Sequence, residues 1–327
     1  PAVRTIKVIF DNEFDATSTV GNFEISSSRP QFLAKTSDIT ASPALVAGRS
    51  ILEESDTLIH SKMIIDAAGY LNQNGWRSKI YTPAVQDMEQ NVIDELETDI
   101  RQKKVKFVIM ISYFSGKNSM WAQECCEVPW IDAFQQSRFD INDCEYLRDI
   151  INKGFLLLIK KGYQSIGLLY SDYYHEVEDY VNRYLNDFQK NYPKPIKITK
   201  YIATSLHPES GIEVIQNRLD VSNMPEVLFC LDDNLCRGAI IGLLSKNITF
   251  PEKIGLITHA NEGVGILSPV QLTQLEYSPR KVLHANIDKM IGLIHGKDET
   301  VAICNTLKII QGSSCLDRDL MCRNKNN

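Results

Sequence analysis

The chain is expected to fold as an α/β protein of two similar lobes, each a doubly wound parallel sheet, joined by a multi-strand hinge. Three observations carry that expectation. Short apolar runs, each brief enough to be a strand buried on both faces, recur along the sequence. The stretches between them are amphipathic and long enough for a crossover helix, the pattern that parallel sheets produce. Polar residues gather where each apolar run ends, and open α/β sheets hold their ligands at those carboxyl ends.

The first half opens on Val3 to Phe10 (VRTIKVIF), a strand by its β-branched content. From Asn12 to Ser55 the chain is rich in Ser, Thr, Ala and Asp, and far exceeds the usual strand-to-helix connection of about 2 to 6 residues. It is expected to be an insertion over about 12–55, either a surface excursion or an arm that uses Phe23, Ile25, Phe32, Leu33 and Leu45 to dock. A helix follows over Thr57 to Asn74, where Leu58, Met63, Ile64, Ala67, Ala68 and Leu71 fall at helical spacing and Gly75 ends the run. Ser78 to Tyr81 is a short strand, Gln86 to Gln102 an amphipathic helix, Val105 to Ile111 an apolar strand and Val128 to Ala133 the next.

Phe134 to Tyr146 is polar and without period, which makes it the hinge candidate; a helix over Leu147 to Lys161 then stops at Gly162. The second half repeats the unit, with strands at Ile166 to Tyr170, Ile196 to Ile202, Val227 to Leu231 and Ile254 to Thr258. Further passages between lobes fit Ser268 to Pro279 and Gly296 to Val301. The N-terminal lobe is therefore expected over 1–146 plus 278–296, and the C-terminal lobe over 147–277 plus 297–327, with a frayed tail from Asp317.

At 327 residues, 43% hydrophobic and 23% charged, there is enough chain for two cores. A net charge of -6 argues against a protein that wraps nucleic acid with its own surface, because phosphate binding needs clustered Lys and Arg. No apolar stretch approaches the roughly 20 residues of a membrane span, and no cationic start with an apolar core suggests an export signal. The eight cysteines have no CxxC spacing, and the adjacent Cys125 and Cys126 make poor tetrahedral ligands. Reduced thiols and a cytoplasmic setting follow.

Enzyme signatures are missing: no GxGxxG follows the first strand, and there is no P-loop, GxSxG elbow or HExxH. His175 to Glu178 (HEVE) and the pair Asp232 and Asp233 are weak as metal sites on their own, and a solvated helix start explains the first as well. No catalytic residue, metal or cofactor is assigned.

Several runs, in order and spacing, resemble the effector-binding core of LacI/GalR-type transcriptional regulators, which share the fold of type I periplasmic sugar-binding proteins. Gly154 to Leu169 (GFLLLIKKGYQSIGLL) is similar to that family's helix, Gly-His and strand, with Tyr163 in place of the usual His. Val227 to Ala239 (VLFCLDDNLCRGA) looks like its strand, aspartate and helix. Phe250 to Ile257 (FPEKIGLI) matches the proline-led strand that follows, Ser268 to Thr273 (SPVQLT) the segment before the last crossing, and Val128 to Asp132 (VPWID) a first-lobe strand. The likeness runs from Val3 to Ser314.

The resemblance implies a cleft between lobes that closes on a small polar effector, sugar-like in most members, within a homodimer. Helix faces Leu58 to Leu71 and Val282 to Ile294 are candidate dimer contacts, although burial under their own sheet explains the same pattern. It also implies operator DNA contact through a helix-turn-helix ahead of the first strand; only Pro1 and Ala2 stand there, so that head is expected outside this sequence. No membrane partner is expected. Two departures put a typical hexose set in doubt: Ala260 stands where sugar-binding members often carry an acidic residue, and the loop Tyr170 to Glu176 lacks their arginine. The alternative is a solute-binding protein that delivers a sugar to a transporter.

Sugar-like ligands need flat apolar surfaces for their C–H faces and forked polar groups for their hydroxyls. The strand-end loops supply Asp11, Asn12, His60, Tyr113, Phe114, Asp132 and Phe134 from the first lobe, and Tyr173, Tyr174, Leu206, Asp233, His259 and Asn261 from the second. Asp132 is the first choice, because the resemblance places a ligand contact there. Asp11 could equally brace a turn, Asp233 could cap the helix from Asn234, and His60 and His259 could be satisfied structural histidines.

Overall fold

The structure, a computed structural model, describes residues 41–48, 58–83, 88–112, 118, 120–133, 145–171, 177–192, 195–297 and 307–318. They form an α/β protein with two sheets of one plan. The first contains β1 (Ser42–Ala47), β2 (Lys79–Tyr81), β3 (Val105–Ser112) and β4 (Trp130–Asp132), in the order β2-β1-β3-β4 and all parallel. The second contains β5 (Ser165–Ser171), β6 (Lys197–Ala203), β7 (Val227–Cys230), β8 (Gly255–Asn261), β9 (Thr273–Tyr277) and β10 (Lys308–Ile310), in the order β10-β9-β8-β7-β5-β6. Only β10 runs antiparallel, on the edge against β9.

The period-2 alternation of the strands explains why both faces are covered. On one face of the first sheet, Ala44, Val46, Val108 and Met110 meet Val92, Ile93, Leu96 and Ile100 of α2 (Glu89–Arg101). On the other, Leu45, Ala47, Phe107, Ile109 and Ile111 meet Met63, Ile64, Ala67 and Leu71 of α1 (Leu58–Gln73), together with Leu283, Ile287 and Met290 of a C-terminal helix (Pro279–Ile294). A short helix, α3 (Trp121–Glu124), precedes β4. Burial beneath their own sheet thus accounts for the apolar faces of the two helices that the sequence offered as dimer contacts.

The second sheet is built the same way. Ile166, Leu168, Tyr170 and Phe229 pack against Phe155 and Leu158 of α4 (Glu145–Lys160) and Val181, Leu185 and Phe188 of α5 (Val177–Asn191). Leu169, Leu228, Cys230 and Leu256 pack against Val214 and Ile215 of α6 (Pro208–Arg218) and Leu235, Ala239 and Leu243 of α7 (Asp233–Ser245). The α6–α7 crossing is tight because glycine lies in it: a Cβ on Gly238 would sit 1.8 Å from the Pro208 carbonyl oxygen. The C-terminal helix, α8, leaves β9 of the second sheet at Ser278 and packs on the first, so the chain passes between sheets there.

Two expectations need correction. Residues 42–47 fall inside the expected insertion, yet Ser42–Ala47 is the strand at the middle of the first sheet, paired on both sides. Its apolar run is only Ala-Leu-Val-Ala between Pro43 and Gly48, too short and too small to stand out beside VRTIKVIF. The segment Val3 to Phe10 lies outside the described residues, and 1–41 all precede the sheet's first strand. The tail is also anchored further than expected: Asp317 pairs with Lys161 at 3.1 Å, and the Arg318 N–H donates to the Lys161 carbonyl at 2.9 Å. The passages at Phe134 to Tyr146 and Gly296 to Val301 lie largely outside the described residues.

Candidate functional site

Among the described residues, Asp132, Ser171, Thr258 and His259 are buried polar groups at or near the carboxyl ends of parallel strands, and Asp233 follows one. At the end of β7 two aspartates divide the work. Asp232 is the N-cap of α7, its carboxylate accepting the N–H groups of Asn234 and Leu235 at 2.9 Å each. Asp233 is therefore not the cap that the sequence allowed. It is the first residue of the helix, only 4% exposed, and its carboxylate accepts the Asn261 side-chain amide at 3.2 Å. The positive end of the helix favours a carboxylate in that place.

Asn261 ends β8, and His259 stands two residues before it on the same face of the strand. His259 is buried, and burial holds its imidazole neutral by pushing its pKa down to about 4, against the opposing pull of the nearby Asp233 charge. Asp233, His259 and Asn261 are thus one group: an ionisable acceptor, a neutral ring and an amide. Such a set can accept hydroxyl or amine donors and offer N–H groups without a net positive charge.

On the first sheet Asp132 ends β4 and is 5% exposed. The Asn286 side chain of α8 donates to its carbonyl at 2.9 Å, which fixes that strand end. Ser112, the last residue of β3, has its hydroxyl buried without a hydrogen-bond partner. The expected strand ends at Ile111 and the expected contacts begin at Tyr113, so Ser112, the observed strand end, is not among them; the rule that ligands meet strand ends makes it a candidate.

One side-chain contact ties the two sheets' strand ends. Lys62, in the first turns of α1, donates to the carbonyl of Gly263, just beyond β8. His60, half-buried, lies two residues earlier on α1. Leu206 is half-buried in the loop between β6 and α6, beside the Ser205 and Ser210 hydroxyls, which lie 2.7 Å apart.

Asp11, Asn12, Tyr113, Phe114, Phe134, Tyr173 and Tyr174 fall outside the described residues. For Asp11 and Asn12 the ground of the choice also shifts, since the strand at the sheet's middle ends at Ala47 and not at Phe10. A groove of about 310 Å³ opens elsewhere, between α4 and α5, floored by Tyr184 and Phe188; it lies on the helical face, away from the strand ends. No group of His, Cys, Asp and Glu side chains among the described residues could hold a metal ion.

Residues 156–315 match the family described as periplasmic binding protein-like domain. Among curated proteins the chain is similar to the HTH-type transcriptional repressor PurR of Actinobacillus pleuropneumoniae, with 20% identity over 64% of this chain and 62% of that protein. It thus spans about 62% of the length of such relatives. Among solved structures it is similar to the Escherichia coli transcriptional repressor ascG, with TM-score 0.59 and 18% identity over 85% of this chain and 100% of that one. It is likewise similar to the lac repressor dimer bound to operator and an anti-inducer, with TM-score 0.61 and 14% identity over 84% of this chain and 94% of that one. At these identities the structural likenesses establish the fold. No helix among the described residues is long and apolar enough to cross a membrane.

Proposed function

We propose that this chain, whose residues 156–315 match a periplasmic binding protein-like domain and which is similar to transcriptional repressors, is the effector-binding part of a LacI/GalR-type transcriptional regulator. It takes a sugar or related small polar metabolite between the strand ends of its two sheets. Occupancy changes how the lobes are held, and this change passes through a homodimer to a helix-turn-helix head that lies outside the described residues and contacts operator DNA. The protein works in the cytoplasm and performs no chemistry on its ligand.

The observation that supports this reading best is the Lys62 to Gly263 contact, which links the start of α1, packed on the first sheet, to the turn after β8 of the second. Buried polar groups stand on both sides of it: Asp132 on one, Asp233, His259 and Asn261 on the other. A ligand held between them would meet polar groups contributed by both lobes, and a site so divided binds by closing. The curated relatives named as repressors favour a regulator over a solute-binding protein that feeds a transporter.

The test is a panel of sugars, sugar acids, amino sugars and nucleobases read by thermal shift, since a ligand that binds only the folded state raises the melting temperature with its occupancy. A saturable shift, reduced in an Asp132→Ala variant, is the expected result. A flat response across the panel, or chemical conversion of the bound compound, counts against the reading.

A further inference from the structure

The strand ends of the second sheet are rich in carboxylates and poor in cations. Strands β5 to β8 run parallel, so the connections that follow them leave from one end of the sheet. Those connections, 172–176, 204–207, 231–232 and 262–272, contain Asp172, Glu176, Asp232 and Glu262 but neither Lys nor Arg, in a chain that holds 35 of the two. After β9 come Arg280 and Lys281 of α8, and Arg280 is paired with Asp66 at 3.0 Å. Two cations that reach the strand ends from helices are turned to backbone. Lys62 donates to the Gly263 carbonyl, and the Arg237 guanidinium donates to the Gly265 carbonyl at 2.8 Å.

Helix dipoles explain part of this, since a carboxylate is favoured at the start of a helix. They also close that place to an anionic ligand: Asp232 already accepts the N–H groups of Asn234 and Leu235, which is where an anion would bind at α7. Asp233 points further. It is 4% exposed, it accepts the Asn261 amide at 3.2 Å, and the ring beside it, His259, is kept neutral by burial. No Lys or Arg pairs with Asp233 among the described residues. A buried carboxylate without a cation is costly to keep, and a ligand that brings the cation removes that cost. Sugar hydroxyls can bond the carboxylate but leave its charge uncompensated, and a sugar acid is repelled by it. Across the cleft Asp132, 5% exposed at the end of β4, adds a second carboxylate. Resting on the effector-binding reading above, we propose that the effector is a small hydroxylated amine whose ammonium group lies against Asp233, its hydroxyls shared between Asn261 and Asp132.

Thermal shift with matched compounds tests this on the unaltered chain: glucosamine and galactosamine, their neutral counterparts glucose and galactose, the acids glucuronate and galacturonate, and ethanolamine as an amine without the ring. At slightly acidic pH the amines are protonated, and amines alone should raise the melting temperature. Asp233→Asn keeps an acceptor for the Asn261 amide and removes the charge. It should weaken binding of the amine about ten- to hundredfold, the range for a hydrogen bond to a charged group, with circular dichroism unchanged. A neutral sugar or an acid that shifts the melting temperature as much as its amine, or an amine affinity untouched by Asp233→Asn, overturns the cationic effector and leaves the effector-binding reading standing. No shift from any of these compounds counts against both.

Discussion

His259 makes the stability of this protein depend on pH in a way that can be worked out in advance. Its side chain is buried at the end of β8 and its pKa is pushed from 6.5 down to about 4, with desolvation as the larger cause and the Asp233 charge opposing it. In the unfolded chain the ring takes up its proton near the ordinary value of about 6.5. As pH falls below that, the unfolded state is stabilised by a proton that the native state refuses until its own, lower pKa is reached. The contribution is therefore present in full above the unfolded value and is lost on the way down to about 4. At about 1.4 kcal/mol per unit, this group removes on the order of 3 kcal/mol across the window. Urea unfolding of the protein and of a His259→Gln variant, at steps from about pH 7 to about pH 4.5, isolates the effect because all other groups are shared. The difference between the two curves should shrink or reverse as pH falls. Parallel curves would refute a buried, neutral His259.

Removal of the Asp132 carboxylate, in Asp132→Ala, should weaken effector binding by about 1.5 to 3 kcal/mol, the range for a hydrogen bond to a charged group; calorimetric affinities check it, and equal affinities remove Asp132 from the site. Ser112→Ala carries the opposite sign in the two states. Its hydroxyl is buried without a partner, so its loss should leave the ligand-free melting temperature unchanged or raised, yet reduce the ligand-induced shift. Gly238→Ala places a Cβ 1.8 Å from the Pro208 carbonyl oxygen, backbone against backbone. The α6–α7 pair must then separate, at a cost of about 1 to 3 kcal/mol or more in urea unfolding.

The second lobe was the more legible half because its central strands, β5 and β7, are almost wholly apolar while the intervening helices keep one polar face. Val227 to Leu231 and Ile254 to Thr258 are short enough to be strands buried on both sides, and they overlap β7 and β8. The first lobe concealed its middle strand, because Ser42–Ala47 owes its place to pairing with β2 and β3 and not to its own hydrophobicity. Local pattern records intrinsic preference, and a short Ala-rich strand has little. At the site, sequence reached the strand ends but not the roles there. Asp232 and Asp233 are interchangeable on paper, and only the helix geometry assigns one to the cap and the other to Asn261. In sequence His259 carries no sign of its neutrality, since burial is a property of what packs around a residue and not of its neighbours along the chain.

Under the proposed function, the part of the fold best placed to report ligand occupancy is α8. It begins where β9 of the second sheet ends, with the Ser278 hydroxyl held by the Glu262 carboxylate beyond β8. One face of the same helix lies in the core of the first lobe, and Asn286, 1% exposed, holds the carbonyl of Asp132. Its outer side is joined to α1 by Asp66, which accepts from His284 at 2.7 Å and pairs with Arg280 at 3.0 Å. A ligand that engages the Asp132 side chain therefore acts on a strand end whose backbone is already fixed to a helix covalently continuous with the opposite sheet. Packed helices do not deform smoothly, so a change at β4 is carried by α8 as a unit toward Ser278 and the β8 end. The size of the response is then set by how differently the ligand binds the two positions of that helix, and a ligand indifferent to them would bind without signalling.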